Sequence, residues 1–254
     1  MLDQITPLIL THDEACNIER TLEKLRWARR ILVVDSGSTD GTLDILARYP
    51  QIEVLPHGFT DFARQWNFGL AQISAGWTLS LDADYVLTDE LIDEIAGLHP
   101  SAETMGYGVC FTYCIQGRPL RASLYPSRVV LFRAGAATYD QDGHTQRLRI
   151  AGKVEELRGR IRHDDRKPIS RWLTSQRIYA RDEALHLLSG RPLSRADRLR
   201  RLAWPAPFAV LLYVLFVKGC FRDGWHGWLY ALQRLIAESL LALELIERRL
   251  AKRR

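Results

Sequence analysis

Cysteine is scarce in this 254-residue chain, and what there is lacks the spacing of a reactive centre. Cys16, Cys110, Cys114 and Cys220 contain no Cys-x-x-Cys pair, which argues against a zinc or dithiol redox site. Cys110 and Cys114 lie four apart in a β-like run and so share a strand face; buried thiols in a reducing compartment are expected. Glycine-rich phosphate loops are missing as well. Neither G-x-G-x-x-G nor G-x-x-x-x-G-K-[ST] occurs, which argues against a dinucleotide-dependent dehydrogenase and a P-loop NTPase. The sequence has no internal repeat and no low-complexity tract. Nor is there a secretory pattern at the start: no basic residue precedes Leu8-Ile9-Leu10, and His12-Asp13-Glu14 follow at once. The chain is therefore expected to stay in the cytoplasm. The apolar run Pro207–Val217 holds only 11 residues before Lys218 ends it, whereas a spanning helix needs about 20.

What the chain does have is an uneven charge. Residues 191–254 carry 13 Lys and Arg against 5 Asp and Glu, a net of +8. Residues 1–190 carry 22 against 25, a net of −3. A basic C-terminal segment suits an anionic partner, nucleic acid or an acidic membrane surface. The same segment holds Trp204, Tyr213, Trp225, Trp228 and Tyr230, aromatic types that favour the lipid headgroup zone, so the membrane is preferred over nucleic acid. Cations flank it on both sides: Arg195, Arg198, Arg200 and Arg201 before, and Arg248, Arg249, Lys252, Arg253 and Arg254 after. Trp228–Ile246 reads as an amphipathic helix with Leu229, Leu232, Leu235, Ile236, Leu240 and Leu243 on one stripe. A dimer seam is the competing reading of that stripe.

The first hundred residues alternate strands and helices. Ile5–Leu10, Ile31–Val34, Ile52–Leu55 and Trp77–Leu81 read as strands; Asn17–Trp27, Thr42–Arg48 and Phe62–Ala71 read as helices. The Ile31–Val34 run is continuously apolar, as a parallel strand buried on both faces should be. The pattern predicts an α/β fold with a doubly wound, mostly parallel sheet and helices on both faces. Gly106–Cys114 and Arg128–Phe132 read as added strands, and His144–Leu157 as strand-like runs split by Gly152. From Ile169 the chain turns helical. The expected division is a catalytic domain over 1–190, with a donor half (1–100) and an acceptor half (101–190), followed by a helical extension over 191–254.

Ligands of open α/β sheets bind at the carboxyl ends of the strands. Two acidic blocks fall there: Val33-Val34-Asp35-Ser36-Gly37-Ser38-Thr39-Asp40-Gly41-Thr42, and, about 50 residues later, Leu81-Asp82-Ala83-Asp84. Two carboxylates straddling one residue at a strand end offer hard oxygen ligands for Mg²⁺ or Mn²⁺. Such an ion can neutralise a nucleoside diphosphate as it departs.

Together with Leu8-Ile9-Leu10-Thr11-His12-Asp13-Glu14-Ala15-Cys16-Asn17-Ile18, these blocks resemble a family 2 glycosyltransferase of the GT-A fold. The resemblance is to the bacterial subgroup that includes lipopolysaccharide-core glucosyltransferases. It covers residues 5–90 well and 125–190 more loosely. It implies an inverting transfer from a nucleotide diphosphate sugar, commonly UDP-linked, to a hydroxyl of a cell-envelope glycan or glycolipid. It further implies that Thr11, Asp13 and Glu14 line the nucleotide pocket, where the family more often has Asn at the place of Asp13. Asp35 is implied to contact the base, Asp82 the ribose, and Asp84 the metal. Arg64 and Asn67 are implied to support the donor; a solvent-exposed helix position is the other reading of Arg64. The general base is implied to be an acid on a turn after the middle strands, Asp142 or Asp140, with His144 as base or orienter. His163 is implied to complete the metal site, with Arg166 or Lys167 meeting phosphate. Two rival readings are a sugar nucleotidyltransferase and a non-enzymatic adaptor acting through the basic C-terminus.

Overall fold

The computed structural model describes residues 1–142, 145–190 and 192–251. His144, Arg191, Lys252, Arg253 and Arg254 thus lie outside the described residues. The chain divides into two compact units, one of residues 1–114 and 125–166, the other of 115–124 and 167–254. The expected boundary at 190/191 falls inside the second unit, because the helix before it clusters with the later helices.

The first unit is built on a mixed sheet. Its strands are β1 (Ile5–Thr11), β2 (Ile31–Asp35), β3 (Ile52–Pro56), β4 (Trp77–Asp82), β5 (Tyr85–Leu87), β6 (Thr104–Ile115), β8 (Arg128–Arg133) and β11 (Lys153–His163), in the order β3-β2-β1-β4-β8-β6-β11-β5. A short strand β7 (Arg118–Pro119) belongs to the second unit, and β9 (Ala137–Asp142) and β10 (Thr145–Ile150) form a separate antiparallel hairpin. β1, β2, β3 and β4 are parallel. The chain leaves β1 toward β2 and β3, then returns to pair β4 on β1's other edge, which puts the topological switch between β1 and β4.

Alternation along the strands sorts the core into two layers. Ile9, Ile31 and Val33 face α1 (Ile18–Glu23), α2 (Thr42–Leu46) and α4 (Asp89–Ala96), with Leu22, Leu46 and Leu91 beneath them. Leu8, Leu32 and Val34 face α3 (Phe62–Leu70), which contributes Ala63 and Trp66, together with Tyr139 of the hairpin. Every residue of β2 is buried, as its unbroken apolar run predicts. Each such aliphatic side chain contributes about 1.5–3 kcal/mol by leaving water.

One segment departs from the sequence reading. Asp140 and Asp142, expected on a turn, belong to strand β9. The strand hides because only Ala137 and Tyr139 are apolar and buried, Thr138 between them is exposed, and the rest of the strand is polar. The apolar stripe read along the last helix lies largely on the outside, as a face awaiting a membrane or a second copy would. Leu229, Leu232, Ile236 and Leu243 are exposed, while Tyr230, Ala231, Leu241 and Leu245 are buried.

The second unit contains α5 (Ile169–Leu188), α6 (Arg195–Arg201), α7 (Pro205–Leu212), a π-helical turn over Tyr213–Val217, and α8 (Gly224–Ala251). Ala180, Ala184 and Leu187 of α5 meet Leu241 and Leu245 of α8 in its core.

A bulge brings β11 to the site in the right register. Pairing with β6 shifts between Glu156 and Arg160. The N–H groups of Arg158 and Gly159 donate to the Glu94 carboxylate of α4 at 2.8–3.0 Å, so leaving the ladder does not orphan them. Gly159 is required by space: a Cβ there would lie 2.5 Å from the Leu91 Cα. Gly159→Ala is therefore expected to lower unfolding stability by about 1–3 kcal/mol, because backbone must shift rather than a side-chain tip. Urea unfolding checks this, and an unchanged midpoint would show that α4 yields freely.

Candidate active site

Strand register gathers the acidic residues. Thr11 pairs with Asp35 across β1–β2, and Leu10 pairs with Asp82 across β1–β4. Asp35 and Asp82 thus end their strands on either side of β1, at the switch point.

Asp35 is buried and surrounded by donors. Thr11 Oγ1 donates to its Oδ1 at 2.9 Å and Ser38 Oγ at 2.5 Å; the N–H groups of Gly37 and Ser38 donate to Oδ2 at 2.9 Å each. The loop after β1 is tied to the same turn. The N–H of Asp13 donates to Ser38 Oγ at 2.8 Å and that of Glu14 to Thr42 Oγ1 at 2.7 Å. The N–H of Thr39 donates to the Asp13 carboxylate at 2.7 Å. Asp13 has φ +53°. Asp and Asn are the side chains that tolerate this left-handed region best, so the Asp at this place is a conformational equivalent of Asn.

Asn17, within the first sequence block but without an expected role, is a buried hub. Its Nδ2 donates to Glu14 Oε2 and Asp165 Oδ1, both at 2.9 Å. Its Oδ1 accepts from Arg20 Nη2 at 3.0 Å and from the N–H of Arg166 at 2.9 Å. All four of the amide's bonding positions are used. They tie the loop after β1 to the loop after β11. The guanidinium of Arg166 contacts Asp164 at 2.8 Å.

Asp84 and His163 meet in space: His163 Nε2 lies 3.1 Å from Asp84 Oδ2. The rings of Tyr85, Tyr113 and Tyr125 stand edge-on around the imidazole at 4.5–5.3 Å between centroids. Burial works against a charge on His163, but the Asp84 carboxylate, with Asp82 and Asp165 nearby, moves its pKa upward overall. Burial and then the charge of Asp84 raise the pKa of Asp82, against the pull of Arg128. His163 Nδ1 and Trp66 Nε1 are buried without a partner among the described residues. Such atoms cost about 1–3 kcal/mol each unless a water or ligand fills the gap.

Beside Asp82 is a cavity of about 350 Å³, lined by Trp66, Ser80, Asp82, Tyr85, Arg128 and Tyr139 together with β10 residues such as Gln146 and Arg147. The Arg128 guanidinium lies 4.9 Å from the Tyr125 ring centroid. None of Arg128, Tyr125 and Tyr139 stood out in the sequence, where they read as members of strands and turns.

The remaining expected residues are placed as follows in the fold. Arg64 lies at the exposed start of α3, 3.4 Å from Asp61. Asn67 exchanges two hydrogen bonds with the backbone of Tyr139, at 2.8 and 2.9 Å. Both ends of its amide thus hold the hairpin. Asp140 forms an ion pair with Arg149 across the hairpin.

A model of Glycosyl transferase family 2 matches residues 8–147, more than half of the chain. The chain belongs to this family. As a family 2 glycosyltransferase it is an enzyme that moves a sugar from a nucleotide sugar, so the nucleotidyltransferase and adaptor readings fall away. The lipopolysaccharide core biosynthesis glycosyltransferase LpsC of Rhizobium meliloti is 25% identical over 269 residues, covering 98% of this chain and 94% of that protein. An uncharacterized glycosyltransferase of Rickettsia prowazekii is 24% identical over 242 residues, covering 89% and 81%. Among solved structures, S. aureus TarS 1–349 in complex with UDP-GlcNAc is 13% identical with a TM-score of 0.49, covering 96% of this chain and 91% of that one.

The four bonds to Asp35 outweigh its burial and hold its pKa below the ordinary 3.8. A depressed carboxylate stabilises the fold above the unfolded pKa, and that contribution is lost as pH falls through the folded value. Asp35→Asn is expected to lower stability by about 1.5–3 kcal/mol at neutral pH. The deficit should shrink as pH is lowered from the ordinary carboxylate range through the folded value below it. A deficit in denaturant unfolding that is constant across that range would mean the charge is not the cause.

Proposed function

We propose that this family 2 glycosyltransferase transfers a sugar, with inversion, from a UDP-linked donor to a hydroxyl of a cell-envelope glycan or glycolipid. The observation that carries this reading is the register that sets Thr11, Asp35 and Asp82 at adjacent strand ends, next to the Asp84–His163 pair. In this reading the laced loops of Thr11, Asp13, Glu14 and Asp35 cradle the nucleotide, and Asp82 meets the ribose. The kinship with LpsC supports an acceptor of the lipopolysaccharide-core type.

The residues fit a divalent ion, Mg²⁺ or Mn²⁺. A carboxylate oxygen and an imidazole nitrogen 3.1 Å apart match adjacent ligands of one octahedral ion, about 3 Å apart at bond lengths near 2.1 Å. Among the described residues no group of three or more His, Cys, Asp or Glu could hold an ion. Asp84 and His163 would hold such an ion, since Mg²⁺ and Mn²⁺ are commonly bound through few protein groups. When bound by Asp84 and His163, the ion supplies charge neutralisation for the departing diphosphate.

The chain's own groups do the rest. The acceptor hydroxyl oxygen bonds to the anomeric carbon as the bond from that carbon to the diphosphate oxygen breaks. A general base takes the hydroxyl proton. We assign that base to Asp142, at the end of β9, since Asp140 is engaged by Arg149. The hairpin that carries Asp142 also lines the cavity beside Asp82 through Tyr139, Gln146 and Arg147.

Asp84→Asn, which keeps shape and removes charge, is expected to abolish the Mn²⁺-dependent thermal shift produced by UDP while the circular dichroism spectrum stays that of the parent. Undiminished Mn²⁺-dependent turnover in this variant would remove Asp84 from the metal site. Asp142→Asn is expected to slow transfer by about 10²–10⁴-fold with UDP affinity nearly kept, as loss of a general base predicts. If Asp140→Asn has that effect and Asp142→Asn does not, the base is Asp140.

A further inference from the structure

The second unit displays an apolar surface that its own core does not use. Trp204, Phe208, Leu212 and Phe216 recur every fourth residue through α7 and the π-helical turn, and so share one face. They are 73%, 63%, 56% and 62% exposed, while Ala206, Pro207, Val214 and Leu215 of the same run are buried. Trp225, at the start of α8, is 86% exposed. Among the described residues no single helix is long and apolar enough to cross a membrane. Instead, Pro205–Val217 and Cys220–Ala251 form a pair bent by 70°.

The bend is packed tightly. A Cβ on Gly227 would lie 1.8 Å from the carbonyl oxygen of Cys220, so only glycine lets α8 pass this close to the corner. Cys220 Sγ donates to the carbonyl of Ala122 at 3.4 Å, Asp223 accepts from the N–H of Arg121 at 3.1 Å, and Tyr230 Oη accepts from the N–H of Leu124 at 2.9 Å. The aromatic stripe is thus presented on a braced corner.

The charge around it selects the partner. Residues 198–222 contain five cations and no carboxylate. At the corner the cations lie against aromatic rings: Lys218 Nζ is 5.7 Å from the Tyr213 centroid and the Arg222 guanidinium 5.4 Å from that of Phe221. An apolar and aromatic stripe with cations at its ends suits a bilayer interface with acidic headgroups. Within Trp204–Trp225 the one carboxylate, Asp223, is engaged by Arg121, so a seam between two copies of this surface would set Lys218 and Arg222 against their copies with no free carboxylate of the segment to neutralise them.

We propose that Trp204–Trp225 is an in-plane membrane wedge, inserting Trp204, Phe208, Leu212, Phe216 and Trp225 to the acyl boundary while Arg198, Arg201, Lys218 and Arg222 meet anionic headgroups. The wedge places the enzyme on a lipid surface, as a lipid-linked acceptor requires. It rests on the acceptor reading only for that purpose. Binding is measured without substrates and can fail or succeed independently of transfer.

Full-length protein is floated with vesicles of phosphatidylcholine alone or with added phosphatidylglycerol, at low and high salt. The wild type is expected to float with the anionic vesicles at low salt. Phe208→Glu/Phe216→Glu, which replaces exposed residues only, should lose flotation with an unchanged melting temperature. Lys218→Gln/Arg222→Gln should weaken anionic partition by up to about 30-fold, since each cation contributes roughly a five-fold factor, and should barely change weak binding to neutral vesicles. Wild-type protein that stays at the bottom with anionic lipid at low salt overturns the proposal. So does a Phe208→Glu/Phe216→Glu variant that floats normally, or one whose change is from dimer to monomer by light scattering, which would make the surface a self-association seam.

Discussion

The Asp35 carboxylate sits at the end of a strand whose other residues are all buried and apolar, and it accepts from four donors drawn from two segments. A charge in that position is tolerable only because every lone pair facing the protein is met. The consequence is that the turn after β2 and the loop after β1 are no longer independent. Ser38 serves Asp35 with its hydroxyl and the backbone of Asp13 with the same oxygen. Asn17 extends the lattice to the loop that follows His163. Segments about 150 residues apart in the chain are thereby held in one arrangement by polar contacts rather than by apolar packing.

The Asp84–His163 pair depends on that arrangement from the other side. The backbone N–H of Asp164 donates to the carbonyl of Asp84 at 3.1 Å, so the two loops meet through the main chain as well as through side chains. A collar of three tyrosine rings leaves the imidazole little freedom to turn. Beneath both, the β11 bulge and its acceptor Glu94 set where His163 emerges. A site of this kind is pre-ordered before any ligand arrives, which limits the ordering entropy that binding must overcome.

Much of this was legible in the sequence wherever residue pattern and chemistry coincide. Ile31–Val34 could hardly be anything but a buried parallel strand, and turn formers after it had to mark the strand's carboxyl end. The pairing of Asp84 with His163 followed from family resemblance, not from spacing, since 79 residues separate them. The hairpin was missed because β9 exposes one polar face and carries Asp at two of six places, which imitates a turn. Arg128 was missed because a cation in an apolar strand gives no local sign of the carboxylate it faces. For α8 the apolar stripe was legible but not what else the helix buries. Periodicity shows that a helix has an apolar face, and two faces of this helix qualify; only the neighbours decide which one turns inward.

The double hydrogen bond between Asn67 and the backbone of Tyr139 has a consequence for how this enzyme can diversify. It fastens the hairpin to α3 through main-chain atoms, and Gln141 adds a second tie by accepting from the N–H of Ala63. The Asn67 fastening is indifferent to the side chain at position 139, so outward residues of the hairpin other than Gln141 can be exchanged without loosening its seat. Length is another matter. An insertion or deletion on the β9 side of the fastening shifts the alternation by one and turns Tyr139 out of the core. Lineages descended from such a scaffold are free to substitute along the hairpin, and would have to extend it only at its tip.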